Sequence, residues 1–347
     1  MSGYLNGKGF WIWILNPIQI REIVSNEDIV KTAVQSGFKH LIVKFADAAR
    51  PYNVFNGVDL ASELIQMAKK AGLIVYGYQY IYLGQGGRGT PVEEARMAKE
   101  RMLDTGADGF VIDAEGECKA AGKGAAADYM AELRSGWNGK PIALSSYRFP
   151  SLHQDFPWNP FVKGFLNLKT LLYVDGVDFL IPQVYLVGAT NSAYQLQRCL
   201  TEYEKYFPGK EVIPTGSAYQ ENGWKSSPES IVEFAKATRT MGLSGYSFWE
   251  WANSMRYGLF DTVANLETTI PVNPDPKPAP NNLKVKVSNL NFRKGPGLSY
   301  ESTTKLPKGF VATPIETKIV GADLWVKIQM EGWVCAKQNG HTLAEVT

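Results

Sequence analysis

Three carboxylates fall within five residues, at Asp113, Glu115 and Glu117, in the stretch "DGFVIDAEGE" over 108–117. The residues before them are apolar or small, as in a buried strand. Residues i and i+2 of an extended chain point the same way, about 6–7 Å apart, so Asp113 and Glu115 share a face. Two carboxyls held close raise the pKa of one of them, giving an acid and a base at neutral pH. Glycosidic bond cleavage needs that division: a protonated carboxyl for the leaving oxygen and a charged one for the developing sugar cation. Gly116 bends the chain next, so the aim of Glu117 does not follow from alternation. The plainer reading is three solvated loop acids, with Asp113 capping the following helix.

Other segments place polar and aromatic residues at equivalent points. Strand candidates run over 9–15, 39–45, 73–80, 108–113, 141–147, 177–185, 210–216 and 245–251. Lys44, Tyr80, Tyr147, Gln183, Tyr185, Trp249 and Glu250 stand at or near their C-terminal ends and are candidate substrate-binding residues, with Glu117. Sugar rings have apolar faces that stack on aromatic rings and hydroxyls that need polar partners. Alternation sends Trp249 and Trp251 to one side of the last strand and Glu250 to the other. For any single one of these rings, packing under a helix is an equally good account.

These ends need elements to hold them. The strand candidates are continuous apolar runs separated by helical stretches, the pattern of a parallel sheet buried on both faces. The stretches over 59–72 and 91–106 both end in Gly, as helix C-caps do, and Pro91 opens the second. Eight strand–helix units in about 270 residues fit an α/β fold of the (β/α)8 barrel type, whose function sits at the C-terminal strand ends. An open doubly wound sheet is the alternative, but "LNPIQI" follows the first strand where a Gly-rich phosphate turn would stand.

Five Pro in "PVNPDPKPAPNN" mark 271–282 as a semi-rigid extended linker. It separates a unit over 1–270 from one over 283–347, which reads as short strands and turns, a small all-β barrel. The 347 residues carry a net charge of +2, too little to argue for nucleic acid. That charge is divided, with 28 acidic and 26 basic residues over 1–270 against five acidic and nine basic over 283–347. The imbalance suggests an anionic polymer as partner of the small unit. Three Cys and three His are scattered without metal-ligand spacing, so neither metal nor cofactor is expected. The apolar run before Asn16-Pro17 is too short for a signal-peptide core or membrane span. A chain made in the cytoplasm without membrane attachment is expected.

The segment from His40 to Tyr80 resembles strands two and three of the family-25 glycoside hydrolases, with Lys44 ending one strand and "AGLIVYGY" (71–78) forming the next. "PVEEARMAKERMLDTGADGFVIDAEGE" resembles the next helix and the strand bearing that family's Asp-x-Glu, and "YSFWEWA" stands where its last-strand Trp-Gln-Tyr falls. The resemblance implies Glu115 as general acid. It implies that Asp113 assists, by supporting the substrate's own N-acetyl group as internal nucleophile. The family's first-strand Asp is absent, since "FWIWILNP" ends in Asn16. "LNFRKGPGLSYESTTKLPKG" followed by "LWVKIQMEGWV" resembles the bacterial SH3-like module, implying a wall-binding role for 283–347.

Two readings follow. In the first, a barrel hydrolyses peptidoglycan while a wall-binding module tethers it, as in a phage endolysin released to act on the extracellular wall. In the second, the same fold has lost catalysis and serves as a carbohydrate-binding or virion component. Retention of Asp113 and Glu115 favours the first, and the missing first-strand acid the second.

Overall fold

The computed structural model describes residues 4–16, 25–187, 189, 191–266, 283–312, 314–320, 323–328, 332–338, 341–342 and 344–346. The chain divides into two compact units, 1–270 and 271–347. The Pro-rich segment 271–282 lies outside the described residues.

The first unit is a closed parallel barrel. Its strands are β1 Gly7–Ile12, β2 His40–Asp47, β3 Ile74–Ile81, β4 Gly109–Ala114, β5 Ile142–Tyr147, β6 Phe179–Val184, β7 Thr215–Ser217 and β8 Gly245–Trp249. Each pairs in parallel with the next, and β1 pairs with both β2 and β8 to close the ring. The seventh strand is broken where the sequence suggested one run over 210–216. Glu211–Val212 pairs with β6, then Pro214, which has no N–H to give a ladder, precedes β7.

Alternation sorts the side chains into two cores. Phe10, Val43, Phe45, Phe110, Ile112 and Leu144 face outward beneath the helices. Trp11, Ile42, Tyr76, Tyr78, Val111, Phe179 and Ile181 fill the barrel interior. The main helices, α1 Asn26–Gln35, α2 Leu60–Lys70, α3 Pro91–Thr105, α4 Gly116–Arg134, α5 Trp158–Val162, α6 Ser192–Tyr206, α7 Pro228–Thr240, α8 Trp251–Arg256 and α9 Phe260–Ala264, lie between and after the strands. Helix α3 opens with Pro91 and a capping box between Thr90 and Glu93, and ends at Gly106 with φ 65°.

Close ring packing between strands depends on small residues. A Cβ on Gly77 would lie 2.2 Å from the Phe45 ring, and one on Gly109 would lie 2.3 Å from the Tyr76 ring. The second unit is all antiparallel β. One sheet joins Val311–Ala312, Leu283–Val285 and Ala344–Val346, and the other runs Ser302–Leu306, Leu290–Arg293, Gly332–Gln338, Asp323–Ile328, Pro314–Val320. Leu283, Val285, Leu290, Phe292, Leu306, Val326 and Ile328 form its own core.

Since the Tyr76 ring occupies the space over Gly109, Gly109→Ala is expected to destabilise the barrel by about 1–3 kcal/mol through overpacking. Urea unfolding of wild type and variant, compared at constant m-value, measures this.

Candidate active site

The upper interior layer of the barrel gathers the polar residues. On β4, Asp113 has the same parity as the interior Val111, and it pairs in register with Tyr80 of β3 and Ser145 of β5. On β6, Gln183 has the parity of the interior Ile181 and pairs with Tyr147 and Thr215. The register therefore sets a buried carboxylate between strands bearing a phenol, a hydroxyl and, two strands away, an amide.

That amide joins the two acids. Gln183 Nε2 donates to Asp113 Oδ1 at 3.1 Å and to Glu115 Oε1 at 2.8 Å, with Ser145 Oγ at 3.3 Å. Asp113 is only 3% exposed. Burial and the neighbouring Glu115 charge push its pKa well above the ordinary Asp range, against the opposing pull of Lys44, Ser145 and Gln183. Burial likewise raises the pKa of Glu115, helped by the charges of Glu117 and Glu221. The pair thus holds a proton to higher pH than free carboxyls would.

Glu117 leaves this pair and accepts a 2.7 Å hydrogen bond from Tyr80 Oη. It lies in the first turn of α4, past Glu115 at the N-cap position, where strand alternation has ended. Lys44, buried within β2, forms a 2.7 Å ion pair with Asp47 at the strand's end and lies 4.3 Å from the Tyr52 ring centroid. Together Trp13, Lys44, Asp47, Tyr52, Tyr78, Tyr80, Tyr82, Arg88, Asp113, Glu115, Glu117 and Trp249 line a cleft of about 400 Å³. The buried hydroxyl of Tyr78 there has no hydrogen-bond partner among the described residues.

Of the residues singled out in the sequence, Lys44, Tyr80, Asp113, Glu115, Glu117 and Trp249 line this cleft, and Gln183 reaches both acids. Tyr147 stacks on His153 with centroids 3.7 Å apart, with Lys119 over its ring. Tyr185 packs edge-on against Tyr219. The alternation expected across Trp249, Glu250 and Trp251 does not hold, because β8 ends at Trp249 and helix α8 begins at Trp251. Trp251 is buried beneath the helices against Phe10 and Phe260. Glu250 caps α8, accepting from the backbone N–H groups of Ala252 and Asn253. Its carboxylate caps the helix end, and Glu250 is not among the residues that line the cleft.

Trp13, Asp47, Tyr52, Tyr82 and Arg88 were not apparent as site residues. Trp13 could have been found from the parity of Trp11. Tyr52, Tyr82 and Arg88 lie on loops, where periodicity carries no signal.

No protein-family model matches the chain, and no curated protein matches it. Solved structures do. A putative alpha-L-fucosidase from Bacteroides thetaiotaomicron aligns with TM-score 0.53 at 11% identity, over 76% of this chain and 94% of that one. The active domain 2 of a thermostable chitinase from Pyrococcus furiosus aligns with TM-score 0.50 at 11% identity, over 71% and 83%. The likeness is one of fold. Among the described residues no helix is long and apolar enough to cross a membrane.

A carboxyl whose folded pKa lies above its unfolded value favours folding below the unfolded pKa. That contribution is lost as pH rises through the folded pKa. Asp113→Asn removes the charge that must otherwise be buried, so it is expected to raise the melting temperature at pH 8 and to change it little at pH 4. Calorimetric scans at the two pH values test the difference.

Proposed function

We propose that the chain is a glycoside hydrolase acting on bacterial cell-wall glycan, with Glu115 as general acid and Asp113 as its partner. The observation that carries this reading is the Gln183 amide shared between the buried Asp113 and the half-buried Glu115 at the mouth of an aromatic-walled cleft. The location supports it, because enzymes on closed parallel barrels do their chemistry at the C-terminal strand ends. Burial keeps a proton available on the pair, as a group that protonates a leaving oxygen requires. Gln183 orients both acids. Once one is ionised, the amide and Lys44 stabilise that charge beside the sugar cation. The rings of Trp13, Tyr52, Tyr80 and Trp249 offer stacking surfaces for pyranose faces. In this reading Asp113 supports the substrate's N-acetyl group as it attacks the anomeric carbon.

A muramidase-type bond specificity rests on the sequence resemblance to family-25 hydrolases. The SH3-like, wall-binding reading of 283–347 rests on its motifs, on its excess of basic residues, and on an exposed turn. There Arg293 donates to the Tyr300 carbonyl, the Tyr300 ring covers Gly295, and Leu298 and Tyr300 remain 58% and 48% exposed. A phage-type release to the extracellular wall completes the proposal.

One observation favours the alternative, a barrel that binds wall glycan without cutting it. The first-strand Asp of the resembling family is absent, and Glu250, the acid that follows Trp249, caps a helix.

Glu115→Gln preserves shape and the Gln183 contact but removes the transferable proton. It is expected to lower kcat/KM on purified peptidoglycan by about 10²- to 10⁴-fold, with Glu117→Gln costing less. Mass analysis of new reducing ends identifies the bond cut. Hydrolysis by Glu115→Gln at the wild-type rate would move the binding reading ahead. The full chain should also sediment with insoluble wall more completely than a chain ended at residue 270, and progressively less so as salt rises.

A further inference from the structure

The cleft is lined by three acids, Asp113, Glu115 and Glu117, and by two cations, Lys44 and Arg88, that share a further carboxylate. Asp47 Oδ1 lies 2.7 Å from Lys44 Nζ, and Asp47 Oδ2 lies 3.2 Å from Arg88 Nη1. Lys44 also acts on the acid pair, pulling the pKa of both acids down against burial. Lys44 is buried, whereas the Arg88 side chain is 52% exposed, so Arg88 is the cation that a ligand reaches.

Arg88 is also held in place. Its Nη1 donates to Tyr82 Oη at 2.9 Å, and its guanidinium carbon lies 4.5 Å from the Tyr82 ring centroid. Its loop is anchored below by Glu94, which is fully buried and accepts from the backbone N–H groups of Tyr82 and Gly84. Arg88 thus meets a ligand with little rotamer freedom left to lose, and Nη2 and Nε make no hydrogen bond among the described residues. A planar guanidinium with one free donor edge, Nε and Nη2, matches a carboxylate better than it matches hydroxyls.

A chain of contacts links Arg88 to the acids. Tyr80 hydrogen-bonds Glu117, its ring centroid lies 5.1 Å from that of Tyr82, and Tyr82 holds Arg88. Beyond Arg88 lies a second depression of about 370 Å³, shared with Arg50, Arg96, Glu93 and Glu100, that leaves room for whatever the carboxylate is attached to.

We infer that Arg88, seconded by Lys44, forms a subsite for a carboxylate carried by the glycan, either on an ether-linked acid side chain or on a uronate ring. The inference rests on the glycosidase reading and narrows its substrate class to acidic glycans. The subsite also gives the cleft a direction, since a glycan bearing an acid on alternate sugars enters in one register only.

The test is calorimetric binding to the full-length Glu115→Gln protein, which does not consume its ligand. Four tetrasaccharides are compared: a peptide-free peptidoglycan fragment, the same fragment with its lactyl acids amidated, a chitin tetramer, and a hyaluronan tetramer bearing ring carboxylates. At least one acidic ligand is expected to bind roughly 10- to 100-fold more tightly than the amidated and chitin ligands, as a charge-assisted contact would give. Whether the lactyl or the ring acid is preferred identifies the source of the carboxylate. Adding Arg88→Gln should abolish the preference, and a melting temperature equal to that of the Glu115→Gln protein shows that the cleft remains folded. Arg88→Lys should restore only part of the preference. Equal binding of acidic and neutral ligands, or a preference that survives Arg88→Gln, overturns the subsite while leaving the glycosidase reading standing. Binding of none of the four removes both.

Discussion

One side-chain amide stands between two acids that would repel each other if both were charged. Gln183 offers a single nitrogen to Asp113 and Glu115 together, where Asp113 is buried and the other two are half-buried. Buried carboxyl groups are tolerated only when hydrogen-bonded, paired or protonated, and this site combines all three remedies. Lys44 supplies an attractive charge, Ser145 and Gln183 supply hydrogen bonds, and the raised pKa values keep a proton on the pair. The surrounding layer follows from that constraint. Tyr80 turns to Glu117, which leaves the Gln183 amide for the other two acids. The aromatic residues about the mouth withhold water while presenting flat apolar faces.

The barrel makes this arrangement possible by holding register across four strands. Asp113 pairs with Tyr80 on one side and Ser145 on the other, and Ser145 is in turn opposite Ile181, two residues before Gln183. A slip of one residue in β4 would turn Asp113 into the layer beneath the helices and bring Ile112 into the cleft. The glycines that admit the Phe45 and Tyr76 rings help resist such a slip, because each ring fits over only one position of its neighbouring strand.

Much of this was legible in the sequence because it depends on period. The eight strands, their continuous apolar character and the interior parity of Asp113 and Gln183 follow from the two-residue repeat of an extended chain. Legibility ended where extension ended. Trp251 was aimed wrongly because the chain turns helical at that residue, and Glu250 was read as a cleft acid when the same turn made it a cap. Tyr147 and Tyr185 close strands as expected, and their rings pack on His153 and Tyr219 while the charge of Glu115 still raises the pKa of both phenols. Arg88 sits in "GQGGRGT", where nothing repeats and only the fold brings the guanidinium to Asp47 and Tyr82.

The loop that carries Arg88 has a consequence for how such a molecule diversifies. Glu94 grips its base from within the helix layer, and Asp47 and Tyr82 grip the arginine near its far end. Neither grip touches Asp113, Glu115 or Gln183. Insertions or exchanges at Gln85, Gly86 and Gly87, between the two grips, therefore leave the acids undisturbed while changing what stands beside them. Ligand choice can drift in this lineage, or be reassigned by loop grafting, without the chemistry having to be reinvented each time.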